Sequence, residues 1–252
     1  PATRNDFTLT IATHLKPPGC RANKKVLTKS PSIDTKRLYR IVSLPVVRFH
    51  FRDSPIITMN CGCKKGVTSE IGIYAATCLG FLLFYCLYLS PALIEGKLLA
   101  PGDGIIFYYP VTKEWSLWVD NVLSGYPAFG DPQYLLWYPL RWLGLSYNAL
   151  VVSGYALASF FTFGLVRQLT ANIWAGIFAG AVFGMSGSMT AHIGHLTIVH
   201  AAAWLPLVIW AVHCLTARRS IAWFLVGSFA VACMFLAGHP QIFAYGLIVT
   251  TA

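Results

Sequence analysis

Asp103 is the residue of this sequence best placed to do chemistry. It lies between two glycines in "LAPGDGIIFYYP", residues 99–110, directly after a long apolar run. Glycines on both sides allow unusual backbone angles and the close approach of a ligand, and a positioned carboxylate can act as a general base. Tyr108 and Tyr109 could line the same pocket. Because Gly-Asp-Gly is also an ordinary turn sequence, the residues alone leave both interpretations open.

Histidine side chains form a second group of candidates. His192, His195, His200 and His239 lie at or near the same ends of three predicted helices, and Asp103 falls on that side too. Titratable groups gathered at one rim of an apolar domain indicate a site. The spacing of His192 and His195 predicts that they share one helix face. Solvated, locally hydrogen-bonded histidines are the ordinary alternative. Zinc is the weaker interpretation, because a third ligand would have to come from His200, His239 or a loop acid, and we predict no metal ligand.

The elements that must position these groups are apolar. The 252 residues are 56% hydrophobic and only 11% charged, whereas soluble domains are about 25% charged. This composition predicts an integral membrane protein. The net charge of +10 does not indicate a nucleic-acid partner, because 11 of the 19 Lys and Arg residues lie within residues 1–58.

Residues 1–58 are predicted to be a disordered or spurious extension, with a basic arm on anionic lipid as the alternative. Met59 is the more natural start, because two lysines and then a membrane span follow it. The seven cysteines form no disulfide framework, and Cys61 and Cys63 are predicted to be unpaired thiols on the cytoplasmic side. The second domain, 59–252, is the transmembrane domain.

Stretches without Asp, Glu, Lys or Arg predict an all-α fold, a polytopic transmembrane bundle with five to six spans. A long outer loop, 94–146, follows the first span. The sixth span begins at Gln241 and the sequence stops inside it, so we expect the N-terminal part of a longer protein. The predicted spans are 71–93, 147–167, 172–190, 197–215, 221–237 and the segment from 241 onward.

Loop charges predict the orientation. The lysines before span 1, Arg167 after span 2 and Arg218 with Arg219 after span 4 fall on one side, which the positive-inside rule makes cytoplasmic. The N-terminus is then cytoplasmic and the loop 94–146 extracytoplasmic, in a multi-pass cell-membrane protein.

Two further patterns concern packing and the interface. Gly176, Gly180 and Gly184 are four residues apart, which predicts a helix face that another helix approaches closely. The segment 113–123, "KEWSLWVDNVL", could form a short amphipathic helix on the outer leaflet. An interfacial aromatic belt is predicted from Trp115, Trp118, Trp137, Tyr138 and Trp142.

Several segments resemble one family. "PGDGIIFYYP" followed by "LSGYPAFGDPQYLLWYPLRWL" is similar to the first outer loop of the YfhO-like bacterial membrane proteins, which belong to the GT-C group of membrane glycosyltransferases. "FGMSGSMTAHIGHLTIVHAAAWLPLVIWAVHCL", 183–215, and "LAGHPQIFAY", 236–245, resemble later segments of the same family. The resemblance covers about 71–252.

The resemblance implies a GT-C-like helical fold with its active site on the outer face. The donor would be a sugar linked to polyprenyl phosphate, taken from among the membrane lipids, and the acceptor a hydroxyl of an outer glycan, polymer or lipid. The family's loop acid maps onto Asp103, which would activate the acceptor or help to hold a divalent cation, Mg or Mn. His192 and His195 would bind the phosphate or orient the acceptor, and Asp131 is a second candidate acid. The lower-ranked lining residues are Tyr108, Tyr109 and Gln241.

Two other functions stay open. A transporter or flippase of a lipid-linked or polar solute could use the same histidines, although mid-membrane charges, which proton-coupled transporters often carry, are lacking in the sequence. A non-catalytic scaffold subunit would suit the glycine face of span 3, but it would leave the Gly-Asp-Gly loop unexplained.

Overall fold

The computed structural model describes residues 67–120 and 124–251. Within these ranges the protein is all-helical and has no strand; one isolated antiparallel bridge joins Val119 to Tyr126. The predictions for residues 1–58, Met59 and the lysines before span 1 lie outside the described residues. The α-helices are α1 Val67–Tyr88, α2 Ser90–Ile94, α3 Tyr109–Lys113, α4 Tyr147–Thr170, α5 Ile173–Gly184, α6 Gly187–Ala191, α7 Leu196–Arg218, α8 Ile221–Leu236 and α9 Pro240–Thr251.

Four helical segments are long and apolar enough to cross a membrane, which confirms the membrane class. A fifth helix, α8, is apolar but has only 16 residues. A break separates α1 from α2 near Pro91, inside the predicted first span, because proline is tolerated in the first turn of a helix and not in its interior. The four segments are Ser69–Tyr88, Tyr147–Thr170, Ile173–Ala191 and Leu196–Ala217.

Side-chain caps fix the connection between α4 and α5. Ala171 ends α4 in the left-handed conformation at φ 55°, and the Asn172 side chain accepts hydrogen bonds from the first backbone N–H groups of α5. The chain therefore reverses within two residues. α4 packs against α1, α5 and α7, while α7 packs against α4, α8 and α9.

The three glycines of α5 face its neighbours, as the sequence predicts. A Cβ at Gly180 would lie 2.5 Å from the Ser159 carbonyl oxygen, and one at Gly184 would lie 2.0 Å from the Tyr85 hydroxyl. Gly176 meets α4 in the same way. The helices can approach this closely because glycine has no side chain, as in close helix packing within membranes.

An ion pair joins the start of α1 to the end of α4. Arg167 Nη2 lies 2.6 Å from Glu70 Oε2, and the guanidinium stacks 4.7 Å from the Tyr74 ring centre. The connections 95–146, 185–195 and 237–239 lie at the opposite end of these helices, which we call the loop end.

Residues 114–120 are not helical, so the prediction of a helix over 113–123 is wrong for these residues. α3 ends at Lys113, and residues 114–120 are irregular up to the bridge at Val119. The guanidinium of Arg141 donates hydrogen bonds to the carbonyl oxygens of Val111 and Glu114. A continuing helix would need these oxygens as acceptors for its own backbone N–H groups. Residues 121–123 lie outside the described residues.

A buried hydrogen-bond network holds the second half of the loop onto the bundle. His200 Nε2 donates to the Leu150 carbonyl oxygen over 3.0 Å, because a carbonyl can only accept. Nδ1 then accepts from the Tyr138 hydroxyl at 2.8 Å, and that hydroxyl accepts from Trp204 Nε1 at 2.9 Å. His200 and Tyr138 are therefore core residues, which corrects the predictions of a rim histidine and a belt tyrosine.

Candidate functional site

Asp103 lies at the loop end, at the start of a π-helix, Gly104–Tyr108. Single π-helical turns are rare in proteins, but many of those that occur lie at functional sites. Glycine is favoured at the two flanking positions for different structural reasons. Gly102 has φ +57° with open space around it, whereas a Cβ at Gly104 would lie 3.1 Å from the Gly194 carbonyl oxygen. The first glycine is needed for its backbone angle and the second for close packing of the chain upon itself.

The same packing brings a histidine to Asp103. A Cβ at Gly194 would lie 2.1 Å from the Pro101 carbonyl oxygen, so the two turns touch through their backbones. His195 Nδ1 follows at 3.7 Å from Asp103 Oδ2, within ion-pair range when the imidazole is protonated. The Asp103 side chain is 65% exposed and makes no capping hydrogen bond to the backbone. Its carboxylate is therefore open to a ligand from solvent.

His192 joins this pair, but not through one helix face. α6 ends at Ala191, and His195 is the N-terminal cap of α7, so the two histidines belong to a turn between helices. That turn, closed by a 2.8 Å hydrogen bond from His195 N to His192 O, still brings the ring centres to 5.8 Å. His192 Nδ1 donates to the Ser188 carbonyl oxygen over 2.7 Å, which leaves Nε2 facing away from the backbone.

His239 is the rim histidine to which the sequence gave no role beyond that of a possible third zinc ligand. It lies in the turn between α8 and α9, and its Nδ1 is buried with no hydrogen-bond partner among the described residues. Burial lowers the pKa of His239, and the nearby His195 and His192 lower it further. The signal available in the sequence was the "GHPQ" break, which places His239 at the same end as His195.

A glycine again sets the position of that turn. Gly238 has φ +84°, and a Cβ there would lie 2.2 Å from the Pro132 carbonyl oxygen. The turn 237–240 therefore packs against the backbone of the "GDPQ" turn. The loop end thus gathers three histidines and Asp103 from separate parts of the chain.

The two tyrosines predicted as lining residues, Tyr108 and Tyr109, make contacts within the protein. Tyr108 is buried, its hydroxyl lies 2.9 Å from Thr197 Oγ1, and its ring meets His195 edge-on. Burial raises the pKa of Tyr108, the hydrogen bond to Thr197 lowers it, and the charges of Asp103 and Asp131 raise it further. Tyr109 is half-buried and packs edge-on against Tyr147.

Asp131 and Gln241 are engaged locally. Asp131 Oδ1 accepts from Gln133 N at 2.8 Å, and Oδ2 accepts from the Tyr126 hydroxyl at 2.5 Å. The bond to Asp131 raises the pKa of Tyr126 to about 12. Gln241 is exposed and donates to the Tyr245 hydroxyl at 2.9 Å. Asp131 is thus less available as a base than Asp103, although it borders an open depression with Tyr126 and Gln133.

The described residues do not form a metal centre. No group of three or more His, Cys, Asp or Glu side chains within 67–120 and 124–251 can hold a metal ion. His200, one of the possible third ligands for zinc, has both ring nitrogens committed in the core.

Comparison with known proteins adds no assignment: no protein-family model, curated protein or solved structure matches the chain. The chemistry of the loop end therefore rests on its own residues.

Proposed function

We propose that this protein is an integral membrane glycosyltransferase, which moves a sugar from a polyprenyl-phosphate donor to a hydroxyl of a glycan, polymer or lipid. One observation carries the proposal. Asp103 presents an exposed carboxylate, free of backbone hydrogen bonds and 3.7 Å from His195, at one end of helices long enough to cross a membrane. A lipid-linked donor arrives through the bilayer and a polar acceptor from water, so the reaction needs a polar group at that boundary.

The resemblance to the YfhO-like branch of the GT-C group is part of the same proposal. We place the N-terminus in the cytoplasm and the loop 94–146 outside, with five to six crossings. Arg167 and Arg219 lie at the end away from Asp103, in agreement with the positive-inside rule. The 16 residues of α8 span about 24 Å, short for a hydrocarbon core of about 30 Å, so its crossing needs local bilayer thinning.

Asp103 is the base in the proposed reaction. The acceptor oxygen forms a bond to the anomeric carbon of the sugar as its proton passes to the Asp103 carboxylate. The bond from that carbon to the phosphate oxygen breaks, and the phosphate leaves with the electron pair. His195 is the orienting group, because its Nδ1 lies 3.7 Å from the carboxylate. Asp131 is not assigned this role, since both of its oxygens already accept hydrogen bonds.

A divalent cation does not fit the side chains described around Asp103. Mg²⁺ and Mn²⁺ prefer oxygen ligands, in particular carboxylates, and among the described residues Asp103 is the one carboxylate within ion-pair distance of a histidine, with no group of three possible ligands around it. No step is therefore assigned to Mg or Mn.

The test compares Asp103→Asn with the wild type in proteoliposomes that contain polyprenyl-phosphate sugars and a panel of acceptors. Asp120→Asn is the matched control, because Asp120 is also an exposed aspartate of the same loop. We expect Asp103→Asn to lower the transfer rate about 100-fold or more, as for loss of a general base, and Asp120→Asn to leave it unchanged. Equal product from all three proteins, with equal insertion, would remove Asp103 from the chemistry.

A further inference from the structure

Residues 132–146 expose large apolar side chains although they lie outside the helices that are long enough to cross a membrane. Trp137, Trp142 and Leu143 are 50%, 59% and 65% exposed, and we call these three side chains the tryptophan surface. The Trp142 indole donates to the Leu136 carbonyl oxygen, so its ring lies beside the peptide group that precedes Trp137. The three side chains therefore belong to one part of the loop, and exposed apolar groups of this kind mark an interaction surface.

The two exposed tryptophans already use their one polar atom within the protein. Trp137 Nε1 donates to the Phe129 carbonyl oxygen over 3.2 Å, and Trp142 Nε1 donates to that of Leu136 over 2.8 Å. Tryptophans at protein interfaces and in membrane belts ordinarily keep this N–H for a partner at the wet end of the ring. Because the N–H groups are engaged, the rings offer their apolar surface to the surroundings, which favours hydrocarbon as the neighbour.

The segment also hides its charge. Arg141 is the one Asp, Glu, Lys or Arg within residues 132–166. It is buried, its guanidinium donates to backbone carbonyl oxygens of the loop, and it stacks 4.5 Å from the Trp115 ring centre. A charged side chain that reached lipid would be costly, so this burial removes the group that would otherwise hold the segment in water.

The backbone of the segment forms a series of tight turns. Lipid offers backbone groups no hydrogen bonds, so a segment at the membrane must satisfy them internally. Two positions, Pro132 and Pro139, have no N–H to satisfy. The backbone N–H groups that donate to the carbonyl oxygen three positions earlier are those of Tyr134, Leu135, Tyr138 and residues 141–144.

The segment is fixed to helices that are long enough to cross a membrane. Its last residue, Ser146, caps α4 by accepting from Ala149 N. The Tyr138 hydroxyl is bonded to His200 and Trp204, both in α7. The segment therefore stays at the end of α4, where that helix meets the membrane boundary.

We propose that the tryptophan surface is a lipid-contacting surface. The segment 132–146 lies along the boundary between headgroups and acyl chains at the loop end, and Trp137, Trp142 and Leu143 extend among the acyl chains. Apolar faces in this position reach about 5–10 Å into that boundary. The inference differs from the predicted aromatic belt, whose tryptophans would bond to headgroups and water, and it does not depend on any reaction at Asp103.

The test adds one tryptophan to the whole chain in phosphatidylcholine nanodiscs. Leu143→Trp places an indole on the surface without removing a hydrogen bond of the Trp137 or Trp142 side chain. The emission of the added tryptophan, taken as variant minus wild type, is measured with two quenchers: bromine on the upper part of the lipid acyl chains, and iodide in the water. We expect brominated lipid to reduce this emission at least severalfold and iodide to leave it nearly unchanged.

Asp120→Trp is the control, because Asp120 is an exposed, charged residue of the same loop. Its added emission should be quenched by iodide and not by brominated lipid. Trp142→Phe is a second variant for the case in which Leu143→Trp fails to fold. The emission that Trp142→Phe removes should be the part of the wild-type signal that brominated lipid quenches.

Four outcomes would overturn the proposal. Quenching of the position 143 emission by iodide alone would place the surface in water, and quenching by both agents would place it at headgroup level. Protection from both agents would mean that protein covers it. Equal quenching of the Leu143→Trp and Asp120→Trp emissions by brominated lipid would show that this segment does not differ from the rest of the loop.

Discussion

Gly238→Ala tests whether the turn that carries His239 is held by backbone packing. Alanine at this position would lower the free energy of unfolding for two reasons. Alanine at φ +84° adopts a backbone conformation that side chains rarely tolerate, at about 1–2 kcal/mol. The new Cβ would also lie 2.2 Å from the Pro132 carbonyl oxygen and 2.7 Å from its carbon, so the two turns must separate. Overpacking of this kind costs about 1–3 kcal/mol, which gives a total of about 2–5 kcal/mol.

Two other glycines separate the costs. Gly102 has φ +57° and nothing near its Cβ position, so Gly102→Ala should cost only the backbone term, about 1–2 kcal/mol. A Cβ at Gly194 would lie 2.1 Å from the Pro101 carbonyl oxygen, so Gly194→Ala should cost mainly the contact term, about 1–3 kcal/mol. Gly238→Ala is therefore expected to be the most damaging of the three.

The assay is chemical unfolding of each variant in the same detergent micelles, followed by tryptophan fluorescence. If Gly238→Ala is no more destabilising than Gly102→Ala, the turn does not depend on its contact with Pro132.

Three further predictions follow from hydrogen bonds and protonation. Tyr138→Phe removes the donor to His200 Nδ1 and the acceptor of an indole N–H, and should lower the free energy of unfolding by about 1–3 kcal/mol in the same assay; an unchanged value would refute the network. The pKa of His239 is lowered in the folded protein, so the unfolded chain binds more protons below about pH 6.5. The free energy of unfolding should therefore fall as the pH drops from 6.5, and His239→Gln should make this fall less steep. An equally steep fall in the variant would contradict the lowered pKa of His239. Asp131→Asn should return the pKa of Tyr126 from about 12 toward 10, seen as a change in the phenolate absorbance titration; an unaltered titration would exclude the bond.

The membrane class and most helix positions could be predicted from the sequence because apolar, charge-free runs identify themselves one segment at a time. The glycine face of α5 was predictable for the same reason, since its period is local. The burial of Arg141 was not predictable. A charged residue in a long loop is expected to be exposed to solvent, yet Arg141 is buried among carbonyl groups about 7 to 30 residues away in the chain. Its burial depends on how the loop folds back, which no local pattern encodes.

The predicted location of His200 was wrong for a related reason. Its neighbours in sequence place it near the end of a span, but its hydrogen-bond partners, Tyr138 and Leu150, lie 62 and 50 residues away. A histidine with both nitrogens satisfied can be buried at little cost. The residue type alone therefore does not distinguish a core histidine from a ligand-binding one, whereas the partners of its nitrogens do.

Comparison of the two aspartates bears on the question that the sequence left open, whether Asp103 is only a turn residue. Asp131 behaves as turn aspartates do, because its carboxylate accepts from the backbone N–H two residues on and from a tyrosine hydroxyl. Asp103 has the same kind of sequence around it but makes no capping bond, and its carboxylate faces His195 instead. A turn would need only the positive φ of Gly102. A turn does not need the close approach of Gly104 to Gly194, which places the Asp103 turn against the residue that precedes His195.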